Sequence, residues 1–383
     1  MNRLRRRLLL AAALAPAAVR ARESIDYPTV TPRALQFPRD FGAHLPFRTE
    51  WWYLTGLLDA APQTRGATLG IELTFFRIRP AIDPDNSSRF AAHQIVMVHA
   101  AIADPRHGSL LHEERIERTG FGIASMSELD TDVQVDNWSL ARDPATGIYR
   151  GKARGERFGL EFRATPAQPL LMQGRAGYSP KGPADREGPA AASFYYSQPQ
   201  LALQAQVWIA QDSDGAAGKD HGDQNGTLLV GLGWLDHEWS STLLPAHAAG
   251  WDWAGFNLND GSALTVFRIR RSGAGPADPP YFAYASLRPP VGATRTFDAT
   301  QVAFEPRQLW TSPRTRAVYP VAQQIRVDSR SFETRPLMPD QELDARATTG
   351  FTYWEGASDL LENGRTIGRG YLELTGYAGA VPG

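Results

Sequence analysis

Cysteine is absent from the 383-residue chain. Disulfide bonds, thiolate metal sites, a cysteine nucleophile and a lipid-modified cysteine are therefore excluded. Lysine is scarce, since Lys152, Lys181 and Lys219 are the only three, and arginine carries nearly all the positive charge. Beyond the first 21 residues, no stretch approaches the roughly 20 apolar residues that a bilayer-spanning helix needs. The chain is still long enough to bury a sizeable core, as one large domain or two of ordinary size.

The first 21 residues have the composition of a secretory signal. Four arginines between positions 3 and 7 precede an apolar run from Leu8 to Val19, and Val19 and Ala21 stand at the spacing of a cleavage site. The pair Arg5-Arg6 also suits a twin-arginine signal, so both export routes stay open. We predict that residues 1–21 are a signal peptide and that the protein is exported, either to the periplasm or out of the cell.

Charge argues against a nucleic-acid partner. Residues 1–21 hold five arginines and no acid, so the mature chain carries 35 basic and 41 acidic residues, a net charge of −6. A nucleic-acid-binding protein normally shows an excess of basic residues. The sequence instead describes a mildly acidic exported protein.

Most of the apolar residues recur with a period of two, as in TLGIELTFFRIR, HQIVMVHAAIAD, LALQAQVWIA and SALTVFRIR. That period indicates strands buried on one face. The segments between them, such as PDNSS, LNDG and ENGR, have turn compositions, and no long amphipathic helix is evident. The pattern predicts an all-β protein built as an antiparallel barrel or sandwich.

Similar segments occur twice in the chain. EWWYLTGLLDA is followed by the strand FFRIRP, and HEWSS with WDWAGFNLNDG is followed by VFRIRR. Each set is typical of the opening hairpin of a barrel, so we predict two β-barrel domains in tandem. The predicted boundaries are an N-terminal segment at 22–43, a first domain at 44–230 and a second at 231–383. The segment from Gly177 to Pro189 and that from Gln211 to Gly226 are interpreted as long loops.

Seven motifs together resemble the AttH-type, carotenoid 1,2-hydratase-like family. They extend in order from His44 to Tyr377 and are HLPFRTEWWYLTG, GYSPKG, SFYYSQP, GWLDHEWSS, GWDWAGFNLNDG, FTYWEGA and GRGYLELTGY. The resemblance implies two lipocalin-like (calycin) barrels packed together. It also implies a protein that acts on, or binds, polyene or terpenoid-like molecules, although fold does not fix function.

The segment GWLDHEWSS carries the main candidate catalysts, Asp236, His237 and Glu238. In a strand, Trp234, Asp236 and Glu238 share one face and Leu235, His237 and Trp239 share the other. Two acids on one buried face would retain a proton near neutrality, as a general acid requires. In the resembling hydratases, the Asp-His-x-Trp signature belongs to the functional region, and it carries over to Asp236, His237 and Trp239.

A structural role for the same residues stays open. Glu50-Trp51 and Glu238-Trp239, each with a later arginine pair, would then close the base of a barrel. The arginine pairs are Arg77 with Arg79 and Arg268 with Arg270.

Aromatic residues are plentiful, with 10 Trp, 12 Tyr and 17 Phe, and could line an apolar cavity or fill barrel interiors. The predicted ligand-binding residues are Trp239, Trp234, Tyr195, Tyr196, Trp253, Trp354, Glu355, Glu50 and Trp52.

Metal and hydrolase chemistry have weak support in the sequence. His93 and His99 share a strand face but lie about 20 Å apart, too far for one ion. HEWSS lacks the second histidine of a zinc-protease motif, and no G-x-S-x-G element occurs. We predict no metal site and no cofactor.

Three classes of function therefore remain. One is an exported hydro-lyase or isomerase that protonates an apolar polyene or terpenoid-like substrate, with Asp236 or Glu238 as acid and His237 assisting. The second is a non-catalytic carrier of a lipid or other apolar molecule. The third is an assembly partner in a complex of the cell envelope.

Overall fold

The computed structural model describes residues 25–60, 68–83, 85–183, 191–210, 226–274 and 278–381. Strands dominate these ranges, and their only helical element is a single 3-10 turn, Arg39–Phe41. The predicted signal peptide and most of the predicted loop at 211–226 lie outside the described residues. Within the described ranges, no helix has the length and apolar character needed to cross a membrane.

The first sheet is antiparallel throughout and has 13 strands. Eleven of them follow one path, in the order β4-β3-β2-β1-β13-β12-β9-β8-β7-β6-β5, while β10 and β11 pair with β12. The strands are β1 (Thr49–Ala60), β2 (Leu69–Ile78), β3 (Ile95–Ala103), β4 (Leu111–Arg118), β5 (Ala124–Met126), β6 (Asp132–Val135), β7 (Trp138–Arg142), β8 (Tyr149–Arg154), β9 (Phe158–Pro166), β10 (Leu171–Met172), β11 (Tyr178–Pro180), β12 (Ala192–Ile209) and β13 (Thr227–Ser240).

The second sheet has ten antiparallel strands in the order β17-β16-β15-β14-β23-β22-β20-β19-β18, and β21 pairs with β22. Its strands are β14 (Ala248–Leu258), β15 (Ala263–Arg271), β16 (Phe282–Arg288), β17 (Arg295–Phe297), β18 (Val302–Thr311), β19 (Val318–Val327), β20 (Arg330–Pro336), β21 (Glu342–Ala345), β22 (Phe351–Glu362) and β23 (Arg365–Leu374).

Each sheet curls around its own apolar core. In the first, β3 and β4 approach β6 and nearly close the barrel around residues such as Leu54, Phe75 and Trp138. In the second, β16 approaches β18 around Phe256, Val321 and similar side chains. The predicted fold class, two tandem antiparallel barrels of lipocalin-like type, is confirmed.

The predicted division at residue 230 falls inside β13. This strand pairs with β1 from Leu229 to Ser240 and with β12 from Thr227 to Trp239, and therefore belongs entirely to the first barrel. The second sheet begins only at Ala248. The boundary between the barrels thus lies after Ser240, because the last strand of the first barrel closes back onto its first strand.

The base of each barrel is held by a buried acid and arginine. In the first, Glu50 Oε2 accepts a hydrogen bond from Arg77 Nε at 3.0 Å, and both side chains are fully buried. In the second, Asp252 pairs with Arg268 at 2.7 Å and with Arg270 at 3.1 Å. Glu50 thus pairs with one of its two later arginines, as the structural alternative expects, but the acid that pairs with Arg268 and Arg270 in the second barrel is Asp252 and not Glu238.

The two Glu-Trp pairs have a different relation from the one predicted. They face each other across β1 and β13, with Glu50 opposite Trp239 and Trp51 opposite Glu238. The two Glu-Trp pairs therefore lie on neighbouring strands of the first barrel, and they do not mark equivalent positions in the two barrels. The hairpins that correspond between the barrels are β1–β2 and β14–β15.

The outer faces of β1, β2 and β13 pack against those of β14, β22 and β23. Strand alternation sends even-numbered residues of β1, such as Trp52, into the first core and odd-numbered ones, such as Tyr53, toward the second barrel. The barrels come close at Gly70, where an added Cβ would lie 2.5 Å from Ala357 Cβ and 2.6 Å from the Tyr371 hydroxyl oxygen. This contact positions the site described below.

We expect Glu50→Gln to lower the free energy of unfolding by about 3–5 kcal/mol, because it leaves Arg77 buried without its charge partner. The double variant Glu50→Gln/Arg77→Met should recover much of that loss. Urea unfolding followed by tryptophan fluorescence measures both effects. Glu305→Gln, which removes an exposed pair with Arg307, is the control and should change stability by less than about 0.5 kcal/mol. A Glu50→Gln effect as small as that of the control would contradict the role assigned to the pair.

Candidate functional site

A cavity of about 310 Å³ lies between the two barrels. Strands β1, β2, β12 and β13 wall it on one side, and β14, β15, β22 and β23 wall it on the other. Its volume falls at the lower end of the range of small-molecule sites. Six acidic residues border it, of which Glu50 directs its carboxyl group to Arg77 and His237 in the first barrel. The other five are Glu72, Asp236, Glu238, Glu355 and Glu373.

Asp236 is held by three donors. Its Oδ1 accepts hydrogen bonds from Ser197 Oγ at 2.5 Å and Trp234 Nε1 at 2.7 Å, and its Oδ2 accepts one from the Tyr195 hydroxyl at 2.7 Å. Trp253 Nε1 donates in turn to the Tyr195 oxygen at 3.0 Å, so both barrels fix this carboxyl group. Burial raises the pKa of Asp236 to about 7, against the lowering effect of the three donors.

Glu238 lies on the same face of β13, as predicted, and has a cation beside it. Lys181 Nζ lies 3.1 Å from Glu238 Oε1 and also donates to the carbonyl oxygens of Thr242 and Leu243. Lys181 belongs to the segment that was predicted to be a long loop. Its first part is ordered as β11, which pairs with β12, while residues 184–190 lie outside the described ranges.

Three glutamates from other strands complete the acidic lining. Glu72 Oε1 accepts hydrogen bonds from Thr74 Oγ1 at 2.8 Å and from the Tyr353 hydroxyl at 3.4 Å. The Tyr53 hydroxyl donates to Glu355 Oε1, so this bond also crosses between the barrels. Within the described residues, Oε2 of Glu72 and Oε2 of Glu355 are buried and have no hydrogen-bond partner.

Burial keeps a proton on these groups near neutrality. It raises the pKa of Glu72 to about 7 and, with the charges of Glu72 and Glu373, raises the pKa of Glu355 well above its ordinary value. Burial raises the pKa of Glu373 to about 8. The negative charges of nearby acids raise this pKa as well, whereas a hydrogen bond with Trp251 lowers it. A cluster of carboxyl groups that hold and release protons close to pH 7 is suited to general acid–base chemistry.

Aromatic side chains form most of the remaining wall. The Tyr53 and Trp253 rings meet edge to face at 5.3 Å, and Trp51, Phe351 and Tyr353 also border the cavity. Aromatic faces attract positive charge. A cation formed on a bound molecule would therefore find both acids and ring faces around it.

The structure brings six of the predicted site residues to the cavity wall. They are Asp236, Glu238, Tyr195, Trp253, Glu355 and Glu50. Trp234 stands directly behind this wall through its bond to Asp236.

The remaining predicted residues do not reach the cavity because strand alternation turns them into barrel interiors. His237 Nε2 donates to Glu50 Oε1 at 2.9 Å, and its Nδ1 lies 3.0 Å from the Tyr196 hydroxyl. Trp52 stacks on His237, and Trp239 stacks on the ring of His44. Trp354 lies in the second core, where its Nε1 donates to the Pro339 carbonyl.

His44, Glu50 and His237 place three potential ligand atoms within 4.8 Å of one another, although no metal site was predicted. The geometry is that of a hydrogen-bonded cluster. Glu50 Oε1 lies 2.7 Å from His44 Nδ1 and 2.9 Å from His237 Nε2, while Oε2 is bound by Arg77 and by the His44 backbone N–H. Arg77 already supplies the positive charge that the carboxylate requires.

Sequence reasoning missed Glu72, Glu373, Tyr53, Tyr353 and Lys181. Glu72 and Glu373 alternate with apolar residues in IELTFF and YLELTG, so they resemble the solvent-facing positions of half-buried strands. A signal was nevertheless present, because glutamate is disfavoured in strands and both residues sit between two apolar residues of a predicted strand.

Comparisons with known proteins agree with this architecture. The AttH-like family model matches residues 28–377. A crystal structure of an AttH-type protein from Nitrosomonas europaea is similar over 91% of this chain and 99% of its own, with 44% identity and a TM-score of 0.79. Kievitone hydratase from Nectria haematococca shares the fold at 12% identity and a TM-score of 0.62, over 92% of this chain and 98% of its own. CghA also shares the fold, at 11% identity and a TM-score of 0.50, over 93% of this chain and 97% of its own. The search of curated proteins finds no match.

The raised pKa of Glu373 predicts a specific dependence of stability on pH. The folded protein keeps this proton up to about pH 8, while the unfolded chain loses it near pH 4.5. Stability should therefore fall as the pH rises through this window, because the folded state binds more protons there. In Glu373→Gln, which mimics the protonated form, the melting temperature should fall less between pH 5 and pH 8 than in the wild type.

Glu362→Gln is the control for that measurement. Glu362 is a partly exposed acid paired with Arg330 outside the cavity. Its variant should follow the slope of the wild type across the window. Parallel curves for the wild type and Glu373→Gln would contradict the retained proton.

Proposed function

This chain belongs to the AttH-like family, and we propose that it binds a compact apolar molecule between its barrels and adds water to, or shifts, a carbon–carbon double bond. The observation that carries the proposal is the lining of the cavity. One largely aromatic pocket is bordered by four carboxyl groups whose pKa values are raised by burial. They are Glu72, Asp236, Glu355 and Glu373. An alkene reacts by accepting a proton on carbon, which requires an acid held in such surroundings.

We assign the proton donor to Glu72. Its pKa lies close to neutrality, so it can hold a proton and also release it. Its Oε2 is buried and makes no hydrogen bond to any described residue, which leaves that oxygen for a bound molecule. Glu355, whose pKa is raised further, keeps its proton and avoids a second negative charge beside the donor.

We assign the base to Asp236. Three hydrogen bonds favour its ionised form, and the Tyr195 hydroxyl connects it to the cavity wall. In hydration, the Glu72 proton forms the C–H bond, the carbocation accepts the oxygen of water, and a proton of that water passes to Asp236. In isomerisation, Asp236 takes a proton from the carbon next to the cation, and the double bond forms there.

The aromatic wall lowers the energy of the cation between these two steps. Tyr53, Trp253 and Tyr353 border the cavity with both acids. A cation over such rings is stabilised by about 0.5–2 kcal/mol per contact. The cavity volume of about 310 Å³ suits a single terpenoid-like unit or one end of a longer polyene.

The proposal takes further support from the comparisons and from the first residues. One protein of the same fold is named as a hydratase. The signal-like composition of residues 1–21 supports export, where the protein would meet its ligand in the periplasm or outside the cell. Amino-terminal sequencing of the mature protein from its host tests the export step.

The function is tested with isotopes, because they report the reaction before the substrate is known. The protein is incubated in H2(18)O or in D2O with apolar extracts of its host and with a panel of terpenoid and polyene alkenes, and products are analysed by mass spectrometry. Hydration should introduce one 18-oxygen atom, and isomerisation one deuterium. Glu72→Gln and Asp236→Asn should each reduce incorporation by at least about 100-fold, the usual contribution of a general acid or base.

Glu362→Gln serves as the matched variant and should retain the wild-type rate, since it changes a glutamate outside the cavity. Extraction of any molecule bound to the purified protein gives the results that would contradict an enzymatic function. A single unmodified apolar molecule, with no isotope incorporated into any compound of the panel or the extract, would replace the enzyme with a carrier. An extract with no bound molecule would favour an envelope partner.

A further inference from the structure

A line of hydrogen-bonding groups leads from the cavity to the protein surface. The Tyr353 hydroxyl lies 3.4 Å from Glu72 Oε1 and 2.8 Å from His99 Nδ1. His99 Nε2 lies 2.7 Å from Thr348 Oγ1, which is bonded to Glu114 Oε2. Glu72 and His99 are fully buried, whereas 18% of the Glu114 side chain is exposed.

Both barrels are needed to build this line. Glu72, His99 and Glu114 come from β2, β3 and β4, and Tyr353 comes from β22. Thr348 lies in the turn before β22, and it reaches back to the first barrel between His99 and Glu114. Successive groups of the line come from alternate barrels, so the residue pattern of one strand does not predict the line.

Each intermediate group can accept one proton and donate another. The tyrosine and threonine hydroxyls do so through one oxygen, and a neutral imidazole does so through its two nitrogens. Burial lowers the pKa of His99 to about 3, so the ring is neutral at physiological pH. A charged ring would have a proton on both nitrogens, so it could not accept a proton from Tyr353, and the line of proton transfers would be interrupted.

We propose that Tyr353, His99 and Thr348 form a proton relay that exchanges the proton of Glu72 with solvent through Glu114. When Glu72 gives up its proton outward, that proton passes to the Tyr353 oxygen and the tyrosine proton passes to His99 Nδ1. The Nε2 proton of His99 then passes to the Thr348 oxygen, and the threonine proton to Glu114. Every intermediate group ends with one proton, and the net transfer is one proton from Glu72 to Glu114. The reverse sequence reloads Glu72 at Oε1, and a half-turn of its carboxyl group then presents that proton to the cavity.

The relay rests on the proposed function for its purpose. A reaction that moves a proton from Glu72 to carbon, and another to Asp236, leaves the donor empty after each turnover. Glu72 and Asp236 lie on different strands, and the relay reaches only Glu72. A path to solvent restores the donor without requiring the proton on Asp236 to cross the cavity. Asp236 gives that proton to water that enters the cavity when the product leaves.

The relay can be tested without a substrate. Rapid transfer of the protein into D2O, followed by time-resolved infrared spectroscopy, measures the exchange of a buried carboxylic acid. The Glu72 band is identified as the carbonyl band that is lost in Glu72→Gln. Thr348→Val and His99→Leu should each slow its exchange by at least tenfold, because each removes one link.

Two conservative variants control for structural effects. Thr348→Ser keeps the hydroxyl and should exchange at the wild-type rate. Thr352→Val removes a hydroxyl of β22 that donates to Asp344 Oδ1 and is not part of the line, so its exchange should also be unchanged. Melting temperatures identify any variant that fails to fold, and the Thr348→Val and Thr348→Ser pair then decides the result.

Three outcomes would overturn the relay. Wild-type exchange in Thr348→Val would mean that the proton reaches Glu72 through the cavity. Equal slowing in Thr348→Val and Thr348→Ser would assign the effect to structure. Absence of a Glu72 carboxylic-acid band would remove the proton that the relay carries. Failure of the isotope experiment would leave the exchange measurement intact, so the two proposals fail separately.

Discussion

Strand alternation at the contact between the barrels is the constraint on which the site depends. Each strand there belongs to a barrel core on one face and to the shared contact on the other. On β13, Leu235 enters the first core while Asp236 reaches the cavity. A shift of one residue in the pairing of β13 with β1 would exchange these faces, placing the carboxyl group in the core and the leucine in the cavity. Register therefore specifies chemistry as strictly as it specifies packing.

The same constraint separates two kinds of buried glutamate. Glu50 and Glu72 lie on neighbouring strands and both are almost completely inaccessible. Glu50 faces the barrel interior, where burial alone would raise its pKa but His44, Arg77 and His237 hold it well below the ordinary value. Glu72 faces the contact, where hydroxyl groups from Thr74 and Tyr353 offset burial only in part. The first residue stabilises the fold as an ion, and the second retains a proton at some cost in stability.

Fold class was accessible from the sequence because it rests on local patterns. Period-two alternation and turn compositions predicted the barrels, and alternation within GWLDHEWSS correctly placed Asp236 and Glu238 on one face. The position of the domain boundary depended on which strand β13 joins, and local pattern carries no information about that. The two Glu-Trp pairs are alike in sequence, yet they lie opposite each other on β1 and β13 of one barrel and do not correspond between barrels.

The site was only partly predictable for a related reason. Glu72 and Glu373 occupy positions that would face water if each barrel stood alone, and only the second barrel turns them into buried acids. His237 adjoins Asp236 in sequence, yet strand geometry sends it to the opposite face. Sequence proximity therefore favoured His237, which faces away from the cavity. His99, which touches the Tyr353 hydroxyl, belongs to a strand far from the motif.

A site between two barrels has a chemical advantage over one inside a single barrel. The interior of the first barrel already contains Arg77 and two histidines at its base, and charge there is balanced by ion pairs. Acids placed in such surroundings would lose their protons. The contact between the barrels offers burial with hydroxyl and indole donors, such as Tyr53, Tyr195 and Trp234, and these leave the carboxyl groups close to neutrality. Two barrels can thus keep one region ionised for stability and the adjoining region protonated for reaction.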